Sequence, residues 1–512
     1  MPSSAPVTRP LRLSLLIMVG LSGTVLLAGC GASQPPREIP HGALPVVVGS
    51  RPVSRALPGG FIGLSIEYPS SIRYAGRDPR QLNPVYLRLV RGLNPGQAPV
   101  LRFGGDTADW TWWPVPGMRR PRGIRYALTR RWLAVTAATA RALNARLILG
   151  INFEADRRRL AGTEARVLLR AIGSRHIAGF ELGNEPEAYA TLGWYYRHHV
   201  VPVPGRPPGY GLAAYLRDYA SVSSALPRGV PLVGPASGAS EWLLGLHRFL
   251  VSEPHIRLAT FHRYPLRRCL TSRASLAYPT ITNLLRPVAS SGPAASLRRA
   301  VLVAHALGIA FRADELNSVS CGGARGVSDT FAAALWVLDT LFNMERVGID
   351  GVNIHTFATG LYAPFVFTHH RGRWSGQVRP LYYGLLMFAR AAPPGSRVLP
   401  TDHRGGSAVR IWTTRGRDGR IRVLAINDRR RRAAVTAIRL PPGFAAASVQ
   451  RLLAPSVAAK QGVTLGGQRF APHTTTGELT GSPRLTRVSP IRGRYVVTLP
   501  AASAALLTAV PR

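Results

Sequence analysis

The sequence predicts an α/β protein: a closed (β/α)8 TIM barrel followed by a C-terminal antiparallel β-sandwich. Three observations carry this expectation. Between residues 58 and 392, eight apolar, strand-like runs alternate with helical patterns, which fits a closed barrel with insertions better than an open sheet. After residue 393 the pattern changes to short alternating strands without a strong helix. Hydrophobic side chains make up 46 % of the 512 residues, enough to bury one large domain and one smaller one.

The barrel strands are expected at 61–67, 100–105, 147–153, 177–185, 232–236, 258–264, 309–316 and 351–357. Helical segments are expected at 129–143, 163–172, 213–224, 241–251 and 328–346, with loop-rich insertions after the fourth strand (201–209) and after the sixth. In the last part, SAVRIWTTRGRDGRIRVLAIND alternates apolar and polar residues on both sides of Arg417-Asp418-Gly419, a hairpin signature. From residue 429 onward Glu478 is the only acid. A working pair of carboxylates cannot reside there, so the chemistry belongs to the barrel.

The N-terminus carries an export signal. Arg9 and Arg12 precede an apolar stretch, 13–28, that ends in Leu27-Ala28-Gly29-Cys30. The run is too short to span a bilayer, which takes about 20 apolar residues. A cysteine directly after Leu-Ala-Gly resembles the bacterial lipobox, in which the thiol is acylated and becomes the mature N-terminus. Residues 1–29 therefore read as a lipoprotein signal peptide, and 30–57 begins with a Ser/Pro-rich tether. The expected location is the bacterial cell surface, anchored to the membrane through a lipid on Cys30, or the medium if Cys30 is not acylated.

Sixty-five basic side chains face 24 acidic ones, a formal net charge of +41, and Lys460 is the single lysine. This fits either a solvated arginine-heavy surface or attraction to an anionic polysaccharide, phosphate or lipid headgroup. No nucleic-acid reader motif accompanies the charge, so nucleic acid is not an expected partner. No HExxH or clustered Cys/His spacing is present, and no metal or cofactor is expected.

In a barrel of this kind, functional groups sit at the C-terminal ends of the strands. Read in order, those ends offer Glu67, then Asp106 and Asp109, then Asn184 and Glu185, then His262 and Tyr264, then Glu315 and Asn317, then His355. A single polar strand end can serve as a helix N-cap. Together, in a chain with so few acids, they point to a site. Glutamates on strands four and seven stand across the barrel mouth, and glycosidic bond cleavage needs such a pair. One acid protonates the leaving oxygen while one carboxylate meets the developing oxocarbenium ion, so Glu185 must hold a proton while Glu315 is ionised. Arg312 and Arg325 lie near Glu315 in sequence and are candidates for holding it ionised. Trp110, Trp112 and Trp113 fit either a sugar platform or packing of the rim. Cys269 and Cys321 follow strands six and seven, on neighbouring loops of the same face. In an oxidising compartment a disulfide between them is expected.

At these residues the chain resembles glycoside hydrolase family 79, which contains β-glucuronidases and heparanases. FELGNEPEAY (180–189) and DELNSVSCGGARGVSDTFAAALWVLDTLF (314–342) are similar to its acid/base and nucleophile segments. GLSIE (63–67), LRFGGDTADW (101–110) and GVNIHTF (351–357) resemble it in the same order. The resemblance implies Glu185 as general acid/base and Glu315 as nucleophile. Glu67, Asp106 and Asn184 match positions that bind sugar hydroxyls, and Tyr362 resembles a tyrosine that holds a uronate carboxylate. His262, Tyr264 and His355 are expected to line the site, and the Gly322-Gly323 turn to bring backbone N–H groups near the sugar. In that family an N-terminal strand joins the sandwich, so LPVVVGS (44–50) is expected to do so, with the barrel at 58–392 and the sandwich at 393–512.

One departure stands out: Ser320 occupies the place where the family's glucuronidases carry a tyrosine that touches the sugar carboxylate. The implied function is a retaining β-glycosidase, β-glucuronidase-like, acting on a carbohydrate that is uronic or otherwise anionic. A retaining glycosidase of the same clan for a neutral or modified sugar, and a non-catalytic surface carbohydrate-binding lipoprotein, are the other readings.

Overall fold

The computed structural model describes residues 38–403, 406 and 408–512; the signal segment and Cys30 lie outside the described residues. Eight parallel strands close into a barrel: Ile62–Glu67, Val100–Gly104, Arg146–Ile151, Ile177–Leu182, Leu232–Ser237, Ile256–Arg263, Ala310–Leu316 and Gly351–Thr356. Each pairs with the next in sequence, and the eighth returns to the first, Val352 opposite Ile62. Closure leaves no free edge and aims all eight C-terminal ends at one face. Among the described residues, no helix is long and apolar enough to cross a membrane.

Several expected helices differ in their ends, and each difference has a cause. The segment 241–251 is two helices, Ser240–Leu244 and Leu246–Ser252. They meet at Gly245, where a Cβ would lie 1.9 Å from Leu212 Cδ2, so the neighbouring helix presses against bare backbone. The helix expected at 163–172 begins earlier, at Arg158, and its N-cap position holds Arg157 instead of a capping side chain. A 20-residue helix, Pro287–Ala306, lies before the seventh strand, in a stretch whose prolines read as loop. Pro293, inside it, falls in its second turn and removes one backbone N–H.

Helix Phe331–Arg346 is buried along almost its whole length. It lies between the barrel and the C-terminal domain, where Phe342 stacks on Trp412 at 5.4 Å and the Trp412 indole donates to Asp339 at 2.8 Å. Truncating a fully buried side chain here, such as Leu338 to Ala, costs about 2–5 kcal/mol.

The last barrel helix ends at Ala391, and strand Arg397–Leu399 opens a seven-stranded sheet. A four-stranded sheet completes the sandwich. It includes Leu44–Val48, parallel to Ala434–Arg439 and antiparallel to Thr401–His403. Alternate residues such as Val46, Val423, Val449, Val497 and Leu507 fill the core between the sheets. The hairpin around Asp418 joins strands Val409–Arg415 and Ile421–Asn427.

Candidate active site

The fourth strand ends in a forced turn. Gly183 has φ +77°, and a Cβ there would meet the Tyr189 hydroxyl at 2.1 Å. Glu185 follows in the left-handed region, φ 47°, a conformation that costs a non-glycine residue on the order of 1 kcal/mol. Its backbone N–H donates to Ala236 O at 2.9 Å, and Pro186 starts a short 3-10 turn. The result lifts the Glu185 carboxyl off the strand and into the barrel mouth.

There it meets the seventh strand. One atom each from Glu185, His262 and Glu315 can be chosen so that all three lie within 4.8 Å of one another. His262 and Glu315 are register partners on adjacent strands, and His262 Nδ1 is 3.0 Å from Glu185 Oε1. Glu315 is 7 % exposed and held at both oxygens. The Tyr264 hydroxyl donates to Oε1 at 2.8 Å, and Arg102 Nη1 to Oε2 at 2.8 Å. His355 Nδ1 lies 3.4 Å from the same Oε2. Burial alone would raise the Glu315 pKa. His355, His262, Arg102 and the Tyr264 hydroxyl outweigh it and bring the carboxyl down to about 2.

Arg102 escaped the sequence reading. Fully buried on the second strand, it donates to Glu181 at 2.5 Å, to Ser65 at 3.0 Å and to Asn184 Oδ1 at 2.9 Å besides Glu315. Its Nε is also 3.1 Å from Asp314. One guanidinium thus gathers the carboxylates of strands four and seven. Arg312, the expected partner of Glu315, faces the opposite end of the barrel: its Nη2 donates to Gly60 O at 2.9 Å and its Nε to Asn353. Gly351 leaves it room, since a Cβ there would lie 1.9 Å from Nη1. Arg325 is exposed on the loop after strand seven.

The remaining predicted residues cluster unevenly. Asn184 Nδ2 donates to Asp106 Oδ1 at 3.1 Å, so its amide is spanned between Arg102 and Asp106. Asp106 faces the cleft beside Glu67, Glu185 and Glu315; loss of hydration in the crowded barrel mouth, and then those three carboxylates, push its carboxyl up to about 8. Glu67 accepts from the Thr107 backbone at 3.0 Å and from the Thr107 hydroxyl, and its other oxygen is 3.3 Å from His355 Nε2. His355, 3 % exposed, bridges Glu67 and Glu315; burial lowers its pKa, but the two carboxylates raise it further. Tyr362 stacks on Tyr264 at 6.4 Å and meets His355 edge-on at 5.7 Å.

Two further expectations concern the loop after the seventh strand. Gly323, at φ +88°, is buried, and a Cβ there would lie 2.9 Å from Tyr362 N. Gly322 O accepts from Leu361 N at 2.8 Å, so the glycine pair docks the tyrosine loop. Cys269 and Cys321 are exposed thiols, unbonded in this structure, with Cys269 close enough to act on the Cys321 thiol. Leu266 bridges to Val319, which makes the two loops neighbours. Cys321 stands in a left-handed turn at φ 58°, its thiol 3.8 Å from the Ser320 hydroxyl. Burial raises the Cys321 pKa. Ser320 lines the cleft with Glu185, His262, Tyr264 and Arg267. Trp110 lines a second cleft beside Asn184 and Glu185, under the Arg125 guanidinium at 3.8 Å, whereas Trp112 packs into a small rim core with Trp194.

Glu185, His262 and Glu315 converge closely enough to invite comparison with a metal site. The donor set does not suit one. Burial lowers the His262 pKa, but Glu315 and Asp314 raise it well above the usual histidine value, so the ring is protonated and offers no lone pair. Both Glu315 oxygens are already engaged.

Fold and site together define a class: a (β/α)8 barrel with paired carboxylates at the ends of strands four and seven. Comparison with known proteins narrows it. Residues 411–506 match the model of the glycosyl hydrolase family 79 C-terminal beta domain. The chain is 23 % identical over 372 residues to a beta-glucuronidase of Neurospora crassa, a match covering 66 % of this chain and 64 % of that relative, slightly under two thirds of its length. A 4-O-alpha-L-rhamnosyl-beta-D-glucuronidase from Fusarium oxysporum 12S superposes with a TM-score of 0.70 at 19 % identity, covering 91 % of this chain and 100 % of that one. A GH51 arabinofuranosidase from Xanthomonas axonopodis pv. citri gives 0.64 at 14 % identity, over 91 % and 99 %. At such identities the structural likeness speaks for the fold. The domain match and the curated relative show what the chain is similar to in sequence: glycoside hydrolase family 79 over its C-terminal domain and a beta-glucuronidase over 372 residues.

Proposed function

We propose that the protein is a retaining β-glycoside hydrolase of β-glucuronidase type. The observation that carries this reading is the convergence of Glu185 and Glu315, with atoms of both inside the 4.8 Å group. Inverting enzymes hold their carboxyls about 6.5–9.5 Å apart to admit a water, whereas retaining enzymes need about 5–5.5 Å. Glu315, ionised down to about pH 2, attacks the anomeric carbon. Glu185, its Oε1 held by His262, gives a proton to the departing oxygen through its other oxygen. It then takes a proton from the water that opens the glycosyl ester.

The glycone is a β-linked uronate, and Ser320 supports a substituted one: the shorter side chain leaves open space where a tyrosine hydroxyl would close over the sugar. The Fusarium oxysporum protein, whose sugar bears a 4-O-rhamnosyl group, supports the same reading. The enzyme is exported and held at the cell surface through a lipid on Cys30, a location supported by the lipobox-like Leu27-Ala28-Gly29-Cys30. Cys30→Ser should release it into the medium.

The test is a panel of nitrophenyl β-glycosides: glucuronide, galacturonide, glucoside and xyloside. The glucuronide should be turned over fastest, and Glu315→Gln should abolish turnover in a protein whose far-UV circular dichroism still shows the native fold. Full activity in Glu315→Gln would falsify the nucleophile assignment.

A further inference from the structure

A carboxylate outside the reacting pair brackets Glu185. Asp109 lies in the turn after the second strand, 2 % exposed, and accepts four hydrogen bonds. Its Oδ1 takes the backbone N–H of Phe153 at 2.8 Å and of Glu154 at 2.9 Å, the end of the third strand's run. Its Oδ2 takes the backbone N–H of Asn184 at 2.9 Å and the Tyr189 hydroxyl at 2.6 Å. Asn184 immediately precedes Glu185 and Tyr189 follows it by four residues, so a single oxygen ties both flanks of the acid/base turn.

That turn needs holding. Glu185 sits at φ 47°, and Gly183 has given up a side chain so that the Tyr189 hydroxyl can approach. Asp109 is itself fixed: its carbonyl accepts from Asn152 Nδ2 at 2.7 Å and Trp194 Nε1 at 3.0 Å. A buried carboxylate with four donors is a costly device for a surface turn. It is an effective one for fixing a strained proton donor to within a fraction of an ångström.

Resting on the glycosidase reading above, we infer that Asp109 is the positioning residue of the acid/base: it never touches substrate and acts by holding Asn184 and Tyr189 so that Glu185 reaches the glycosidic oxygen. Loosening it impairs protonation of the leaving group and leaves attack by Glu315 intact. The defect is therefore graded by leaving group, which general loss of structure is not.

The experiment compares the full chain with Asp109→Asn and Tyr189→Phe on two β-glucuronides. One carries a dinitrophenyl leaving group, which departs without a proton; the other a methylumbelliferyl or alkyl group, which needs one. A misplacement of about 1 Å costs roughly 100-fold, so Asp109→Asn should lose roughly 10- to 100-fold in kcat/KM on the poor leaving group and under about 3-fold on dinitrophenyl. Tyr189→Phe removes one of the four donors and should show the same gradation at smaller size, which keeps the test alive if Asp109→Asn does not fold. Equal losses on both substrates, or none, overturn the inference while leaving the glycosidase reading standing. Failure of the unaltered protein to hydrolyse either glycoside overturns both.

Discussion

The Arg102 fork gives the most quantitative handle on the site. Arg102→Lys keeps the positive charge and loses the geometry that reaches Glu181, Ser65, Asn184 and Glu315 together. The bond to Glu315 is charge-assisted at 2.8 Å. Such a bond contributes about 1.5–3 kcal/mol, and about 1.4 kcal/mol is one pKa unit. Losing it should raise the Glu315 pKa by roughly one to two units from its present value of about 2, because fewer groups favour the ionised form. The readout is the acidic limb of kcat/KM against pH for an aryl β-glucuronide, which reports the free enzyme. The limb should move from about pH 2 toward pH 3–4. Stability follows the same linkage. A depressed carboxyl stabilises the fold above its unfolded pKa, and that stability is lost as pH falls through the folded value, so the variant should unfold at higher pH in acid titration. An unmoved acidic limb in a folded Arg102→Lys protein would refute the claim that this arginine holds the nucleophile ionised.

Other expectations are checked more simply. Asp106, pushed up to about 8, draws stability from the fold as pH rises from its unfolded value to about 8, so Asp106→Asn should melt at a higher temperature than the unaltered protein at pH 7–8 and at nearly the same temperature at pH 3. Calorimetry at the two ends of that range decides it; an equal difference at both ends contradicts the shift. Thiol titration of the folded chain from residue 31 onward should count two reactive groups before any reductant is added, and a count of zero would restore the Cys269–Cys321 bond.

The barrel was legible because its strands are buried on both faces, which leaves continuous apolar runs between helical stretches. The proposed reacting pair was legible for a different reason. Acids are scarce in this chain, and Glu185 and Glu315 fall where strands end. What stayed hidden has a common physical character. Arg102 sits inside an apolar strand, and in a chain with 65 basic side chains one more arginine carries no signal until its neighbours are known. Arg312 is close to Glu315 in sequence, yet it lies toward the opposite end of the barrel, where Gly60, Phe61 and Asn353 take its guanidinium. The split at Gly245 is set by Leu212, a contact between distant segments that periodicity cannot register. Cys269 and Cys321 show the limit from the other side: shared loops predict neighbourhood, and the two thiols are unbonded in this structure.

Everything proposed for the reaction depends on Glu315 becoming covalently bonded to the sugar. Incubation with a 2-deoxy-2-fluoro-β-glucuronyl fluoride, followed by proteolysis and mass spectrometry of the peptides, tests that bond directly. The fluorosugar should appear on the peptide that contains Glu315 and on no other, and the label should vanish in Glu315→Gln. Labelling at a different carboxylate, or turnover of the glucuronide with an α-configured first product, would contradict it.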